Sequence, residues 1–547
     1  MTAEAIEALG EAAIKQNLEQ FLLVLSVSLS VATLSRLITW FRRIPFTLLL
    51  VIVGLILAFE DIRLVNLSPE LILEIFLPPL LFEAGWNMNW RELKRDLFPV
   101  SLFAIVGVVI SVVGIAWGLH WSLGIPIAIS LLVGASLSAT DPISVVALFK
   151  ELGASQRLRT LMEGESLFND GVAVVAFTLF VVIPLRDTVV SLSGTLFSFF
   201  SFVGIGIGIG ILIGFGISYL TQRFDSSLIE QSLTLVSAYG TYVVTEELGG
   251  SGVIGVVTVA LILGNFGSRF GMNPRTRIVV TEFWEFIAFF VNSIVFLLIG
   301  DQIQFADLAD NILPIAVTFG AMIVTRAIGV YGLSAVSNGL AGSQIDWKDQ
   351  TVIWWGGLRG SVSIALALSV PVDLGSRPEI IATVFGAVLF TLLVQGLTTQ
   401  TLLEKLGLIG DQPKQQAYLE AIARRVALNR VQNYLSEAVR TQEIDSEFYQ
   451  YQSRLIQNEL EEARDTLQKL QEENEQLIEV GMDLIMDKMV DIEAGTYAEF
   501  IRAGRLDNQL SPVLRRVFED PEHRAWLSDA LTNAIAPKVV KSELNPE

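Results

Sequence analysis

The 547-residue sequence contains no cysteine, only two histidines, and few charges for its length. Without cysteine the chain has no disulfides, thiolate zinc sites, iron–sulfur clusters or thiol nucleophiles. His120 and His523 are too far apart in the sequence to suggest a histidine metal site. Charged residues make up 17% of the chain, whereas soluble domains average about 25%. The net charge of −20 argues against binding of nucleic acid, which would need a basic face.

The charges that are present are unevenly distributed. Residues 1–410 contain 21 Lys and Arg and 31 Asp and Glu, whereas the remaining 137 residues contain 16 and 26. Hydrophobic residues make up 52% of the chain, and the mean hydropathy is +0.56. This composition predicts an all-α integral membrane protein. We expect an extracytoplasmic helix over 1–17, a transmembrane domain over 18–405 and an acidic helical tail in the cytoplasm over 412–547.

Apolar runs near 20 residues predict about 13 transmembrane helices. They cover 18–40, 45–60, 67–85, 98–120, 124–149, 164–185, 193–221, 227–246, 250–266, 281–300, 311–337, 351–371 and 379–402. With this count, 14 loop Lys and Arg lie on one side of the membrane and 4 on the other. The positive-inside rule places the 14 in the cytoplasm, so the N-terminus is expected outside and the tail inside. Snorkelling toward the headgroups is the expected explanation for five glutamates near span ends, Glu230, Glu246, Glu247, Glu282 and Glu285.

Two predicted spans carry an ionisable residue among helix-breaking residues. The first reads Gly134-Ala-Ser-Leu-Ser-Ala-Thr140-Asp141-Pro142, and the second Trp354-Trp-Gly-Gly-Leu-Arg359-Gly-Ser-Val-Ser363. They lie in spans 5 and 12, at equivalent positions if two six-span inverted repeats flank a seventh span. Paired broken helices indicate the midplane site of a transporter, and freed carbonyls suit a cation. Close packing of small residues is the alternative interpretation.

A third polar segment, Glu163-Gly-Glu165-Ser166-Leu-Phe-Asn169-Asp170-Gly171, opens span 6. Residues 165, 166, 169 and 170 share one face of a helix. That face offers two carboxylates, a hydroxyl and an amide oxygen, which are ligands that suit a small hard cation. The alternative is a helix start capped by Glu165 or Ser166. That alternative leaves the polar pair 169–170 unexplained inside an apolar stretch.

Three motifs occur along the chain in the order Thr140-Asp141-Pro142, Gly164–Asp170 and Gly356-Gly357-Leu358-Arg359-Gly360. Together they resemble the monovalent cation/proton antiporter family, in its NhaP-type and eukaryotic exchanger branch. The resemblance covers about residues 20–405. It implies a 13-span fold with two crossing broken helices, in which a mobile core bundle moves against a dimerisation bundle of a homodimer. It also implies exchange of Na+ for H+ across the cytoplasmic membrane, in the service of pH homeostasis and salt tolerance, without a cofactor.

The resemblance also implies roles for individual residues. Asp170 is expected to bind either Na+ or a proton. Glu165, Ser166 and Thr140, the last partly through its backbone carbonyl, are expected to complete the Na+ shell. Asp141 is expected close by, acting through water.

Four further residues are expected to form a structural network around this site. The resemblance implies that Asn169 is held by Glu83 and by Arg359, and it gives Arg326 a structural role. Asparagine at position 169 marks the branch that is expected to be electroneutral, exchanging one Na+ for one H+.

Exchange follows if the two ions exclude each other. A buried carboxylate can be neutralised either by a proton or by a sodium ion. If the mobile core bundle moves only when this carboxylate is neutralised, the flux of protons is coupled to the flux of sodium. With Arg359 compensated by Glu83, Asp170 would be the one carboxylate that changes state. The sequence leaves open Li+ or K+ as cations, a passive cation channel or uniporter using the same oxygens, and a non-transporting scaffold or sensor.

The tail contains apolar residues at helical spacing, including Leu455, Leu460, Leu467, Leu470 and Leu477. This spacing predicts a long amphipathic helix, as a short coiled coil or as part of a helical hairpin. Residues 480–540 are expected to form a small helical bundle. Regulation by pH or ions, reinforcement of a dimer, and a solvated appendage all remain open for this tail.

Overall fold

The computed structural model describes residues 3–37, 44–60, 64, 68–152, 154–183, 192–221, 226–268, 272, 274–408, 412–441 and 444–473, with scattered positions between 477 and 514. Two compact units divide the chain, Met1–Leu408 and Ile409–Glu547. All regular elements in the described residues are helices, in agreement with the predicted all-α class.

The first unit contains nineteen described α-helices. They are α1 Ala3–Leu37, α2 Phe46–Phe59, α3 Leu77–Asn87, α4 Trp90–Arg95, α5 Leu97–Ser101, α6 Val108–Leu123, α7 Ile127–Ser136, α8 Ile143–Leu152, α9 Gln156–Val181, α10 Leu192–Thr221, α11 Ser227–Glu247, α12 Gly252–Ile262, α13 Pro274–Asp301, α14 Phe305–Asp310, α15 Ile312–Ala341, α16 Trp347–Trp355, α17 Ser361–Leu368, α18 Arg377–Phe390 and α19 Leu397–Leu406. Short π-helical segments lie at Leu71–Phe76, Leu102–Gly107, Leu263–Gly267 and Thr391–Gly396.

Every predicted span overlaps one or two of these helices. Among the described residues, six helices are by themselves long and apolar enough to cross a membrane. They are Leu97–Leu123, Gln156–Val181, Gly194–Thr221, Thr276–Asp301, Ile312–Ala341 and Arg377–Leu406. The count of thirteen spans stays a prediction.

The N-terminal helix expected over 1–17 is not a separate element. Helix α1 runs without interruption from Ala3 to Leu37. The first proline of the sequence is Pro45, so no proline interrupts the backbone hydrogen bonds between the polar start and the apolar run. The polar first turns therefore continue directly into the first apolar span.

Spans 5 and 12 are broken in the middle, as their sequences predict. Helices α7 and α8 are separated by the non-helical residues 137–142, and α16 and α17 by residues 356–360. The two interruptions meet, because the amide N–H of Asp141 donates a 2.8 Å hydrogen bond to the carbonyl of Leu358. Each break thus satisfies a backbone group freed by the other.

The helices of the first unit pack mainly in two groups. We call α1–α3 with α10–α13 the scaffold bundle, and α4–α9 with α15–α19 the core bundle. In the scaffold bundle, α2 and α13 approach closely at Gly54 and Gly300, where a Cβ added at Gly54 would lie 2.9 Å from the Cα of Gly300. Both broken helices belong to the core bundle, so the site is built mainly on that bundle.

The second unit contains a helical hairpin made of α20 Gln412–Arg440 and α21 Ser446–Glu473. The side chain of Gln471 donates a 2.8 Å hydrogen bond to the Tyr418 hydroxyl, and Gln432 donates one of 2.7 Å to Ser453. Of the two predicted arrangements, the structure therefore has the hairpin. Most of the small bundle predicted for 480–540 lies outside the described residues.

Candidate functional site

The fully buried side chain of Arg359 joins the two broken helices. Its Nη1 donates to the carbonyls of Ser138 and Ala139, at 3.3 and 3.2 Å, just beyond the end of α7. Its backbone amide donates a 3.2 Å hydrogen bond to the hydroxyl of Thr391. A guanidinium at this position compensates carbonyls left free at a helix C-terminus and the negative end of the helix dipole.

Helix α9 presents its polar face to the break between α7 and α8. The side-chain amide of Asn169 donates to the Thr140 hydroxyl at 2.5 Å and to Glu165 at 3.3 Å, and its oxygen accepts the Thr140 amide at 3.2 Å. The Ser166 hydroxyl donates to the carbonyl of Thr140. Residues of one helix face therefore hold the non-helical backbone at Thr140 in place.

The alternative interpretation of this polar segment as a capped helix start is wrong. Helix α9 begins at Gln156, and its N-cap is Ser155, whose hydroxyl accepts the amide of Leu158 at 3.2 Å. Glu165 and Ser166 lie more than two turns inside the helix. Their polar side chains therefore face the interior of the unit for a reason other than capping.

Glu165 forms an ion pair with Arg326. The two guanidinium nitrogens of Arg326 lie 2.6 and 2.8 Å from the two carboxylate oxygens of Glu165. The side chains are 10% and 3% exposed, so the pair is buried. We expected Glu165 to be a direct ligand of the cation. In the structure each of its oxygens accepts a hydrogen bond from Arg326, in the bidentate geometry that a guanidinium and a carboxylate favour.

Asp170 carries an oxygen that is left without a protein partner. Its Oδ1 is buried and has no hydrogen-bond partner among the described residues. Asp141, Arg359 and Glu165 are its electrostatic neighbours. Asp141 is held in the break by its own amide and by its Oδ1, which accepts the amide of Ile143 at 3.0 Å. The structure thus leaves one oxygen of Asp170 available to a ligand.

A cavity of about 550 Å³ is lined by residues of both bundles, and Asp170 is one of them. The core bundle contributes Thr140, Asp141, Glu163, Ser166 and Asp170 to its wall, together with Gly360. The scaffold bundle contributes Glu83, Asn87, Glu285 and Asn292. Among the described residues that line it are five carboxylates and no Lys or Arg. Such a wall raises the local concentration of cations.

The structure brings Thr140, Asp141, Ser166 and Asp170 together on this cavity, as the sequence predicts. It gives Asn169 other partners than the expected Glu83 and Arg359. The Asn169 amide binds Thr140 and Glu165 because the break frees the backbone of Thr140 opposite it.

Glu83 and Arg359, which were expected to interact with each other, each have further contacts in the structure. Glu83 lies on the cavity wall, where its carboxylate accepts a 2.6 Å hydrogen bond from Asn87. Arg359 is compensated by backbone carbonyls and by the fields of Glu165 and Asp170. The carbonyls of Ser138 and Ala139, beyond the end of α7, lie next to Arg359 in the fold. The linear sequence does not reveal this proximity.

Sequence reasoning assigned no transport role to three cavity residues, Glu163, Glu285 and Asn292. An amide within the apolar run Phe289-Phe-Val-Asn292 was a detectable signal for the last of these. Snorkelling was the wrong explanation for Glu230, which is fully buried. Glu285 is exposed and lines the cavity.

Comparisons with known proteins agree with this geometry. The family described as "Sodium/hydrogen exchanger, transmembrane" matches residues 25–405. The Na+/H+ antiporter ApNhaP of Aphanothece halophytica is 63% identical over 525 residues, which cover 95% of this chain and 100% of that protein. The low-affinity Na+/H+ antiporter NhaS1 of Synechocystis is 57% identical over 505 residues, covering 92% and 96%.

A solved structure shares the fold. The sodium proton antiporter MjNhaP1 from Methanocaldococcus jannaschii superimposes with a TM-score of 0.58 at 21% identity, covering 72% of this chain and 99% of that one.

Proposed function

The chain belongs to the sodium/hydrogen exchanger family and exchanges Na+ for H+ across a membrane, and we propose that the two ions compete for Asp170. The observation that carries this proposal is the unpartnered Oδ1 of Asp170, a residue that lines an acidic cavity. A buried carboxylate oxygen without a donor is costly, by about 1–3 kcal/mol or more for a charged group. Binding of a proton or of a sodium ion removes that cost.

The oxygens around Asp170 suit sodium as the rival of the proton. The carbonyl of Thr140 and the hydroxyl of Ser166 face each other, and both residues line the cavity with Asp170. Carbonyl, hydroxyl and carboxylate oxygens are hard ligands, as a small alkali cation prefers. We therefore assign Asp170, Thr140 and Ser166 to the cation shell, with Asp141 acting through water. Glu165 is a positioning residue.

The charges of the site support exchange of one ion for one. Asp141, Glu165 and Asp170 carry three negative charges when ionised, and Arg326 and Arg359 carry two positive ones, so the sum is −3 + 2 = −1. One bound Na+ or one bound proton brings the sum to zero. A neutral site crosses the bilayer at far lower cost than a charged one. The electroneutral stoichiometry thus needs no charge from Glu83.

The sequence positions of the cavity residues support a proposal for the face on which the cavity opens. Its lining residues Phe46, Asn87 and Glu163 lie close in sequence to basic loops, which contain Arg42, Arg91 and Arg157. If these loops are cytoplasmic by the positive-inside rule, the cavity admits ions from the cytoplasm. This orientation places the N-terminus outside and the tail inside.

A homodimer in the cell membrane completes the proposal. Helix α10 has an apolar stretch of which only 11% is buried within the chain. Lipid or a second copy must cover that surface, and cross-linking between copies across α10 would distinguish the two.

The substitution Asp170→Asn tests the central assignment. We expect it to abolish sodium-triggered proton flux in proteoliposomes at fixed ΔpH, since a neutral amide has no charge to exchange. Asp307→Asn, at an exposed position on α14, is the matched control and should exchange normally. Substantial exchange by a folded Asp170→Asn protein would refute the assignment.

A passive channel built on the same oxygens is not favoured, because the relatives that match nearly the whole chain are named antiporters. A channel cannot move sodium uphill. An imposed ΔpH that drives Na+ accumulation against its gradient therefore separates the two functions. Repeating the assay with Li+ and K+ would show which cations are accepted.

A further inference from the structure

A second buried oxygen without a partner lies on the same cavity as Asp170. The side-chain carbonyl oxygen of Asn292, in the middle of α13, is buried and has no hydrogen-bond partner among the described residues. Asn292 lines the cavity, although it directly follows the apolar run 289–291. Buried polar atoms in folded proteins nearly always have a partner, so an orphaned oxygen requires an explanation.

The position of Asn292 indicates what its partner is. Asn292 belongs to the scaffold bundle, and Asp170 belongs to the core bundle on the other wall. Both walls offer hard oxygens, and the cavity wall, as described, carries only negative formal charge. An amide oxygen in such a place is a suitable ligand for an alkali cation. A proton bound to a carboxylate does not require this oxygen as a ligand.

We propose that Asn292 supplies an oxygen ligand to the cation as it enters, replacing one of its hydration waters before the cation reaches Asp170. The cation shell is then completed from both bundles while the cavity is open, and the ligand from Asn292 is lost when the core bundle moves. Asn292 therefore sets the cation affinity of this open state and contributes little to proton binding. This inference rests on the proposed role of Asp170.

Two substitutions at this position separate a ligand from a structural residue. Asn292→Leu keeps the size of the side chain and removes the oxygen, whereas Asn292→Asp keeps an oxygen and adds charge. Ser293→Ala is the matched control, because the Ser293 hydroxyl donates a 2.6 Å hydrogen bond to Phe289 in its own helix. The full-length proteins in proteoliposomes would be titrated with Na+, Li+ and K+ at fixed ΔpH, with apparent KM and maximal rate measured.

We expect Asn292→Leu to raise the apparent KM for Na+ by roughly tenfold, as for loss of one contact to a charged ligand. Its maximal rate should stay within about twofold of the wild-type rate, because the exchanging carboxylate is untouched. Asn292→Asp should keep a KM at or below the wild-type value, and Ser293→Ala should match wild type. The ratio of the KM values for Li+, Na+ and K+ should change in Asn292→Leu.

An unchanged KM in Asn292→Leu would overturn the inference. An equal rise in KM in Asn292→Leu and Asn292→Asp would also overturn it, because such a rise would indicate a packing defect. Should Asn292→Leu fail to fold, Asn292→Asp decides alone, and a raised KM in that variant overturns the inference. Failure of this inference remains distinct from failure of the proposed function. Exchange that survives Asp170→Asn refutes the latter, whatever the variants of Asn292 show.

Discussion

Arg326 holds both carboxylate oxygens of Glu165, at 2.6 and 2.8 Å, although the two residues are 161 positions apart in the chain. The same guanidinium donates a 3.0 Å hydrogen bond to the carbonyl of Ile353, in the last turn of α16. One buried side chain thus ties α15 to α9 and to the first half of a broken helix. Glu165 in turn accepts from Asn169, so the pair supports the residues that position Thr140.

Removing one partner of this pair is expected to destabilise the fold. Arg326→Leu leaves the Glu165 charge unpaired in a low dielectric, at a cost of about 3–5 kcal/mol. The double variant Glu165→Gln with Arg326→Leu should recover much of that loss, because no buried charge remains. Thermal unfolding of the purified proteins in detergent measures both effects. Equal melting temperatures for Arg326→Leu and wild type would contradict the prediction.

An exposed ion pair provides the control for that series. Arg440 donates a 2.6 Å hydrogen bond to Glu437, and their side chains are 77% and 56% exposed. Exposed pairs of this kind contribute about 0–1 kcal/mol. Arg440→Ala should therefore leave the melting temperature close to that of wild type. A large loss there would indicate that charge removal as such destabilises the protein.

Gly360 is expected to tolerate no side chain. Its φ of −138° is accessible to alanine, but a Cβ at this position would overlap the side chain of Asp141. Gly360→Ala must therefore displace Asp141 and disturb its hydrogen bond to Leu358. We expect exchange to fall by roughly a hundredfold, as for a catalytic group misplaced by about 1 Å. The initial rate of sodium-triggered proton flux measures it.

Gly320→Ala is the matched control for that substitution. A Cβ at Gly320, within α15, would meet no atom within 4 Å. Alanine in a helix interior is favoured over glycine by about 0.5–1 kcal/mol, so this variant should be as stable as wild type or more so, with normal exchange. Wild-type activity in Gly360→Ala would show that the packing of Gly360 on Asp141 is not needed for transport.

The sequence was sufficient to predict features that depend on local composition. The breaks in spans 5 and 12 were predicted from Pro142, which lacks an amide donor, and from the glycines at 356, 357 and 360, which together weaken a helix. The grouping of Thr140, Ser166 and Asp170 followed from the family motifs, and the structure places all three on one cavity.

Pairings between distant residues could not be predicted in the same way. Glu165 and Asp170 are both carboxylates on one helix face. Only the fold shows that Arg326 pairs with the first, and that Oδ1 of the second has no hydrogen-bond partner among the described residues. The partners of Asn169 and Arg359 depend on backbone groups freed by the breaks, whose positions are three-dimensional information. The start of α9 was missed because its first turns are polar and were assigned to a loop.

Competition for one carboxylate predicts how sodium transport depends on pH. Each proton bound at Asp170 excludes a sodium ion, so cation binding must release a proton and its affinity must fall as the proton concentration rises. On the acidic side of the titration, the apparent KM for Na+ should rise about tenfold per pH unit, and high Na+ should restore the rate. Proton flux measured at several pH values across a Na+ titration, at zero voltage, tests this. A KM that stays constant while the maximal rate falls with acid would contradict competition, because it would require protons to act at a separate site. The same titration with an imposed voltage should give identical rates, since a site that alternates between Na+ and H+ carries the same charge in both directions.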